Sequence, residues 1–136
     1  MAGLAKIANE RFAERGGACV RASAIEALRA FPDGFFTGAM LRSYLEHEVE
    51  PREVLHELAR ALTPGGTAIV KVPNYGSLNR RLTGRKWCGF RYPDHVNYFT
   101  VRSLTKMADG AGFSVSFGLT GAIPISDNMW CALRRL

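Results

Sequence analysis

The stretch that decides the fold runs from residue 44 to residue 74 and reads YLEHEVEPREVLHELARALTPGGTAIVKVPN. Pro51 suits the first turn of a helix, where no backbone N–H is needed. Pro64-Gly65-Gly66 predicts the end of this helix, because glycine readily adopts the left-handed conformation of a helix terminus. The mostly apolar run Thr67–Val72 then predicts a β-strand. Between the two prolines, apolar side chains recur at helical spacing: Val54, Leu55, Leu58 and Leu62.

A helix that leads through a tight turn into a nearly all-apolar strand is typical of an α/β fold with a covered sheet. We expect a strand at Phe35–Leu41 to lie parallel to Thr67–Val72. Two segments near the end of the chain follow each other without a helix and predict an antiparallel pair. The other predicted elements are a helix around Leu4–Phe12, a short strand at Ala18–Ala22, a helix from Thr100 through Asp109, and the final strands Phe113–Leu119 and Met129–Leu133.

The length of 136 residues predicts one domain with a single core. No segment approaches the roughly 20 consecutive apolar residues of a membrane span, and the first residues lack the layout of a secretory signal. The three cysteines are far apart and in no metal-binding spacing. They predict reduced thiols and a cytoplasmic protein.

The formal charge of +6 is concentrated in one segment. Six basic residues and no acidic one lie between Lys71 and Arg91, interleaved with Tyr75, Trp87 and Phe90. This pattern is compatible with a nucleic-acid-binding surface, but a solvated basic loop is the simpler interpretation. A nucleic-acid-binding module is therefore one alternative for the function.

The series LEHEVEPREVLHELARALTPGGTAIVKVPN resembles the central block of class I S-adenosylmethionine (SAM)-dependent methyltransferases. The resemblance continues in GRKWCGFRYPDHVNYFTVRSLTKMADGAGF, residues 84–113. It implies a Rossmann-like methyltransferase sheet that ends in an antiparallel strand pair. It also implies SAM as the cofactor and a small-molecule methyl acceptor.

Two parts of the family pattern have no counterpart in this sequence. Members of the family open with a strand and a glycine-rich turn, and a second strand ends in an acidic residue for the ribose hydroxyls. The G-x-G of Gly110-Ala111-Gly112 follows a helix and precedes a strand, which is the wrong order for that turn. We therefore expect residues 1–136 to form a partial methyltransferase domain, incomplete at its N-terminus. We also expect it to bind SAM weakly or not at all.

The resemblance assigns cofactor contacts to two short segments. Ser23 stands where the family often has an acidic residue that contacts the adenine amino group. Ala24 and Ile25 follow it. Leu41, Arg42 and Ser43 come at the end of the predicted fourth family strand, where side chains approach the cofactor.

Two histidines are the candidate catalytic residues. His47 follows the same strand at the carboxyl edge of the sheet, where a histidine can act as a general base. His95 matches a family stretch beside the acceptor pocket, and Asp94 or Asn97 could orient it. Some family members bind a divalent metal through Glu-x-x-Glu-His, but Ser43 replaces the first glutamate here. We therefore predict no metal site.

One further alternative and one further expectation follow from the missing parts of the family pattern. The chain could be a non-catalytic binding or regulatory remnant of a methyltransferase. The predicted strand Ala18–Ala22 would also lack its neighbours in the sheet, and an exposed strand edge promotes association. Homo-oligomers through that edge are therefore expected.

Overall fold

A four-stranded mixed sheet forms the centre of residues 2–136, the part of the chain that the computed structural model describes. The strands lie in the order β1-β2-β4-β3. β1 is parallel to β2, whereas β4 is antiparallel to both β2 and β3. The predicted parallel pair and the predicted antiparallel final pair are therefore confirmed. The strands are β1 (Phe36–Arg42), β2 (Leu62–Pro73), β3 (Phe113–Ser116) and β4 (Asn128–Arg135).

Five α-helices and one 3₁₀ turn accompany the sheet in the described part of the chain. They are α1 (Ala2–Ala13), α2 (Ala24–Arg29), α3 (Pro51–Ala61), α4 (Leu78–Thr83), the 3₁₀ turn Gly84–Lys86, and α5 (Val101–Gly110). The helix predicted from Thr100 is confirmed, because the Thr100 hydroxyl accepts a hydrogen bond from the backbone N–H of Ser103. Within residues 2–136, none of these helices is long and apolar enough to cross a membrane.

The core lies between the sheet and the pair α3 and α5. Leu55 and Leu58 of α3 pack with Leu104 of α5, and Val70 and Leu133 complete the cluster from the sheet. All five are buried. The apolar face that the sequence predicts for α3 is thus the face that covers the sheet, and its burial is the main source of stability.

The end of α3 differs from the prediction. The helix ends at Ala61, and β2 begins at once with Leu62, which is fully buried and pairs with Phe36. Residues 63–66 then interrupt the register between β1 and β2, and Gly65 has a φ of +75°. The glycines therefore form a bulge inside β2, because burial of Leu62 starts the strand before them.

The strand predicted at Ala18–Ala22 is absent from the described structure. These residues are irregular, and Val20 is exposed. A strand needs a hydrogen-bonded neighbour, and no strand of residues 2–136 lies beside this segment. The first helix forms as predicted, but its apolar residues Leu4, Ile7 and Phe12 are also exposed.

The end of β3 also differs from the prediction. β3 ends at Ser116 instead of Leu119, because Gly118 has a φ of +60° and turns the chain away from the sheet. Leu119 is fully exposed. β1 pairs on one side only, with β2, so its other edge is free among the strands of residues 2–136.

Candidate functional site

A polar cleft of about 260 Å³ lies at the edge of the sheet where the parallel strands end. Ser43 follows β1 directly, Pro73 is the last residue of β2, and Asn128 is the first residue of β4. In open α/β sheets, ligands bind at this carboxyl edge. The cleft is lined by Ser43, Glu46, His47, Lys71, Pro73, Cys88, Gly89, Arg91, His95, Asp127 and Asn128.

A sharp turn after β1 places two of these residues. Ser43 has a φ of 51°, a conformation that is unusual without glycine and is often found at functional sites. Its backbone N–H donates to the carbonyl of Lys71 at 3.0 Å, and Leu45 anchors the turn in the core. As a result, Glu46 is buried beside the cleft, and His47 is exposed at its rim.

A second loop is fastened over this turn by backbone and side-chain hydrogen bonds. The backbone N–H groups of Val96 and Asn97 both donate to the carbonyl oxygen of Glu46, at 2.9 and 3.1 Å. The side-chain amide of Asn97 donates to the carbonyls of Leu45 and Glu48, at 3.0 and 2.5 Å. These four bonds bring His95, which precedes Val96, to the turn after β1. Asn97 therefore builds the site without lining it.

The two candidate histidines meet in the cleft. Their rings pack edge to face with centroids 4.7 Å apart. Nδ1 of His47 lies 2.7 Å from the carbonyl oxygen of Asp94, and Nδ1 of His95 lies 2.9 Å from that of Gly89. A carbonyl oxygen can only accept, so both Nδ1 atoms carry the proton and donate it. Gly89, and not the side chain of Asp94 or Asn97, orients His95.

Glu46 stands out for its environment. Its side chain is only 1% exposed, and Oε2 is the one buried side-chain polar atom within residues 2–136 that lacks a hydrogen-bond partner. Such groups are rare because burial without a partner is costly. One donor atom each from Glu46, His47 and His95 lies within 4.8 Å of the others.

Asp127 lines the cleft, although the sequence did not identify it as a candidate site residue. Trp87 Nε1 donates to its carboxylate at 2.5 Å, and the Asn79 amide donates at 2.7 Å. Weaker bonds come from Ser77 and Cys88, at 3.3 and 3.4 Å. Burial by itself would raise the pKa of Asp127, but the donated hydrogen bonds outweigh burial and lower it. The donors lie at least 39 positions from Asp127 in the sequence, so no local pattern predicts this cluster.

The residues predicted to contact the cofactor do not form one site. Ala24 and Leu41 do lie together, with Tyr44, in an apolar hollow of about 430 Å³ formed by α2, β1 and α3. Tyr44 is its main polar group, and its hydroxyl donates to Glu48. The hollow therefore offers apolar surface and few free polar groups.

The other four predicted cofactor contacts lie outside this hollow. Ser23 caps α2, where its hydroxyl accepts from the backbone N–H of Glu26 at 3.3 Å. Ile25 packs against the core, and Arg42 is exposed. Ser43 lines the polar cleft instead.

The aromatic side chains of the basic segment pack mainly against one another. Tyr75, Trp87, Phe90 and Tyr98 form a cluster with ring centroids 5.4–6.1 Å apart. The Arg80 guanidinium lies 4.0 Å from the centre of the Tyr75 ring. Trp87 is almost fully buried, so its main contribution is to packing.

Comparison with known proteins gives one family match. A family model described as a methyltransferase domain matches residues 5–116. No curated protein sequence matches the chain.

Several solved structures share this fold. A SAM-dependent methyltransferase from Archaeoglobus fulgidus has 17% identity and a TM-score of 0.68, over 92% of this chain and 71% of that one. A protein from Thermotoga maritima, described as a SAM-dependent methyltransferase and possible histamine N-methyltransferase, has 20% identity and a TM-score of 0.68, over 90% and 66%. The YcgJ protein from Bacillus subtilis has 19% identity and a TM-score of 0.60, over 85% and 50%. The chain thus spans half to seven-tenths of the length of these proteins, and at such identities the likeness establishes the fold alone.

Proposed function

Because this chain belongs to the methyltransferase domain family and has a class I, Rossmann-like fold, we propose that it forms the acceptor-binding part of a SAM-dependent methyltransferase. The observation that carries this proposal is the polar cleft at the carboxyl edge of the sheet, where His47 and His95 meet. A crevice in that position is the usual ligand site of an open α/β sheet. We assign a small-molecule acceptor to this cleft.

The protein has little covalent work in such a reaction. SAM, when bound, supplies a methyl group on a sulfonium that an oxygen, nitrogen or carbon nucleophile of the acceptor displaces. The chain must hold the acceptor in line with that methyl group and receive any proton that the nucleophile loses. A fixed polar cleft beside the strand ends is suited to both tasks.

His47 and His95 are the residues that we assign to the reacting atom of the acceptor. Each Nδ1 is committed to a backbone carbonyl, which fixes the ring and its tautomer. In the neutral ring, Nε2 then keeps a lone pair that can accept a proton or bind a cation. The exposure of His47 at the rim gives it the freer access to an incoming molecule.

The cofactor side is assigned to the end of β1 and the start of α2. The hollow lined by Ala24, Leu41 and Tyr44 fits a flat apolar group such as the adenine ring. It does not fit the ribose hydroxyls or the amino-acid end equally well, since these need several hydrogen-bonding partners. Ser23, Ile25, Arg42 and Ser43 remain proposed contacts around the same strand end.

Backbone amide chemical shifts, recorded while SAM is added to millimolar concentration, test this assignment. We expect shifts confined to residues 23–25 and 41–43 and their neighbours. Ala24→Phe, which fills the hollow, should abolish them. Ala30→Phe, the same change at the exposed end of α2, should leave them intact. Shifts elsewhere, or equal shifts in both variants, would overturn the assignment.

A further inference from the structure

We propose that Glu46, His47 and His95 bind a divalent transition-metal ion. One donor atom of each residue lies within 4.8 Å of the others, so small side-chain movements bring all three to one ion. Metal binding itself does not depend on the proposed function. Only a role for the ion in methyl transfer rests on it. The sequence predicted no metal site, because it offered only Glu46 and His47, and the third ligand comes from a distant loop.

The hydrogen bonds of the two histidines prepare them as ligands. A metal-binding histidine almost always donates its other ring N–H to a carbonyl, a carboxylate or water, which fixes the tautomer and turns the free nitrogen to the metal. Both rings show this arrangement, with Nδ1 donating to the carbonyls of Asp94 and Gly89. Nε2 is therefore the ligand atom in each ring.

The buried carboxylate supplies the third and independent observation. Glu46 is 1% exposed, and Oε2 lacks a partner among the described residues. A positively charged ion at this place would satisfy that oxygen and offset the cost of its burial. The backbone N–H groups of Val96 and Asn97 hold the Glu46 carbonyl, so the main chain keeps this residue at the cleft.

Neighbouring groups of the cleft do not compete for the same role. The Asp127 carboxylate already accepts bonds from Trp87, Asn79, Ser77 and Cys88. Lys71 and Arg91 also line the cleft and carry positive charge, which opposes a cation. The Lys71 ammonium donates to the hydroxyl of Ser43 at 3.3 Å, and screening by water weakens its repulsion.

The ligand set also selects the kind of ion. Two imidazoles and one carboxylate suit Zn²⁺, Fe²⁺, Co²⁺ or Mn²⁺, whereas Mg²⁺ and Ca²⁺ prefer oxygen ligands. Three protein ligands leave coordination positions open, as in catalytic rather than structural sites. A water molecule, or an oxygen of a molecule bound in the cleft, can fill them.

The test is a titration of the metal-stripped chain with Zn²⁺. Calorimetry measures the affinity and the number of ions bound, and NMR monitors the histidine ring nitrogens. We expect one ion per chain and large shifts at Nε2 of His47 and His95. The third histidine of the sequence, His56, lies exposed on α3 and serves as an internal control whose ring signals should not move. Mg²⁺ at the same concentration should cause no such shifts.

Variants make the test decisive. His47→Ala, at an exposed position, and Glu46→Gln should each weaken Zn²⁺ binding by at least about tenfold. His56→Ala is the matched control and should bind as the unchanged chain does. Buried His95 could be needed for folding, so the ring-nitrogen spectra test its role without a substitution. Absence of binding, or equal binding in His47→Ala and His56→Ala, would overturn the proposal. Zn²⁺ binding in a chain whose backbone shifts do not respond to SAM would support this metal site and overturn only the proposed cofactor contacts at residues 23–25 and 41–43.

Discussion

The rings of His47 and His95 meet edge to face, with centroids 4.7 Å apart, although the two residues belong to different loops. One follows β1, and the other lies between α4 and α5. Each ring is held by a backbone carbonyl of the second loop. The cleft is therefore built by the docking of that loop onto the turn after β1, and its chemistry depends on the contacts between the two.

Asn97→Ala should loosen this docking. The substitution removes two hydrogen bonds, to the carbonyls of Leu45 and Glu48. The Leu45 carbonyl still accepts from the backbone N–H of Glu48, so the Glu48 carbonyl is the acceptor that loses its partner. We expect a loss of about 1–3 kcal/mol in the free energy of unfolding, measured with urea. Asn9→Ala removes a single exposed hydrogen bond and should cost less than about 0.5 kcal/mol. Equal effects of the two substitutions would contradict the proposed role of Asn97.

Trp87→Phe should reduce stability more at pH 7 than in acid. The pKa of Asp127 is lowered in the folded protein, so its hydrogen bonds stabilise the fold above the ordinary value of 3.8. That contribution is lost as the pH falls through the lowered pKa. The difference in unfolding free energy between the unchanged chain and Trp87→Phe, measured with urea, should therefore narrow below pH 3.8.

The other tryptophan provides the control for this experiment. Trp130 is partly exposed, and Trp130→Phe removes no hydrogen bond to a carboxylate that the structure shows. The change in unfolding free energy caused by Trp130→Phe should be the same at pH 7 and below pH 3.8. A pH-independent effect of Trp87→Phe would show that the indole contributes packing alone.

Asp127→Asn should make the thiol of Cys88 more reactive. Cys88 is exposed, but partial desolvation of its thiol raises the pKa, and the hydrogen bond and negative charge of Asp127 raise it further. The substitution removes the charge, so more thiolate forms at pH 8 and alkylation accelerates. Mass spectrometry of iodoacetamide-treated protein can follow each cysteine separately. Cys19 serves as the reference in the same sample, and an unchanged ratio of Cys88 to Cys19 labelling would contradict the prediction.

Self-association through the free edge of β1 remains a prediction. The sequence predicted an exposed strand edge at Ala18–Ala22, but that segment forms no strand. The edge strands of the described sheet are β1 and β3, and β1 is the longer of the two. Light scattering should show a mass that rises with concentration. Met40 is an exposed residue of β1, and Met40→Lys adds a charge there. Because a charged side chain on an edge strand opposes strand pairing, this substitution should lower the measured mass. Leu82→Lys, at an exposed position of α4, should not. A concentration-independent monomer would refute the prediction.

The sequence predicted those parts of the fold that depend on local patterns. The apolar spacing of α3, the helix that follows Thr100 and the helix-free connection between the final strands are local features, and these elements are confirmed. The prediction of a strand at Ala18–Ala22 was wrong, because a strand needs a hydrogen-bonded neighbour and no local pattern reveals that neighbour.

In the candidate site, too, the sequence predicted what local patterns determine and missed what tertiary contacts determine. Spacing identified His47 at a strand end, where the carboxyl edge of a sheet is predictable. It could not reveal that Gly89 orients His95, that Asn97 fastens the loop, or that Asp127 collects four donors. Each of these contacts joins residues that only the tertiary fold brings together.

Calorimetric titration of this chain with SAM tests the central claim most directly, because the claim is that residues 2–136 provide the acceptor cleft and only the adenine side of the cofactor site. The sequence has no counterpart of the family's glycine-rich turn or of its ribose-binding acidic residue. The loss of two or three hydrogen bonds to the cofactor, each worth about 1–3 kcal/mol when charge is involved, weakens binding by about 100-fold or more. We therefore predict a dissociation constant weaker than about 100 μM, or no measurable heat. A dissociation constant of a few micromolar would contradict the account, since the described residues would then hold a complete cofactor pocket.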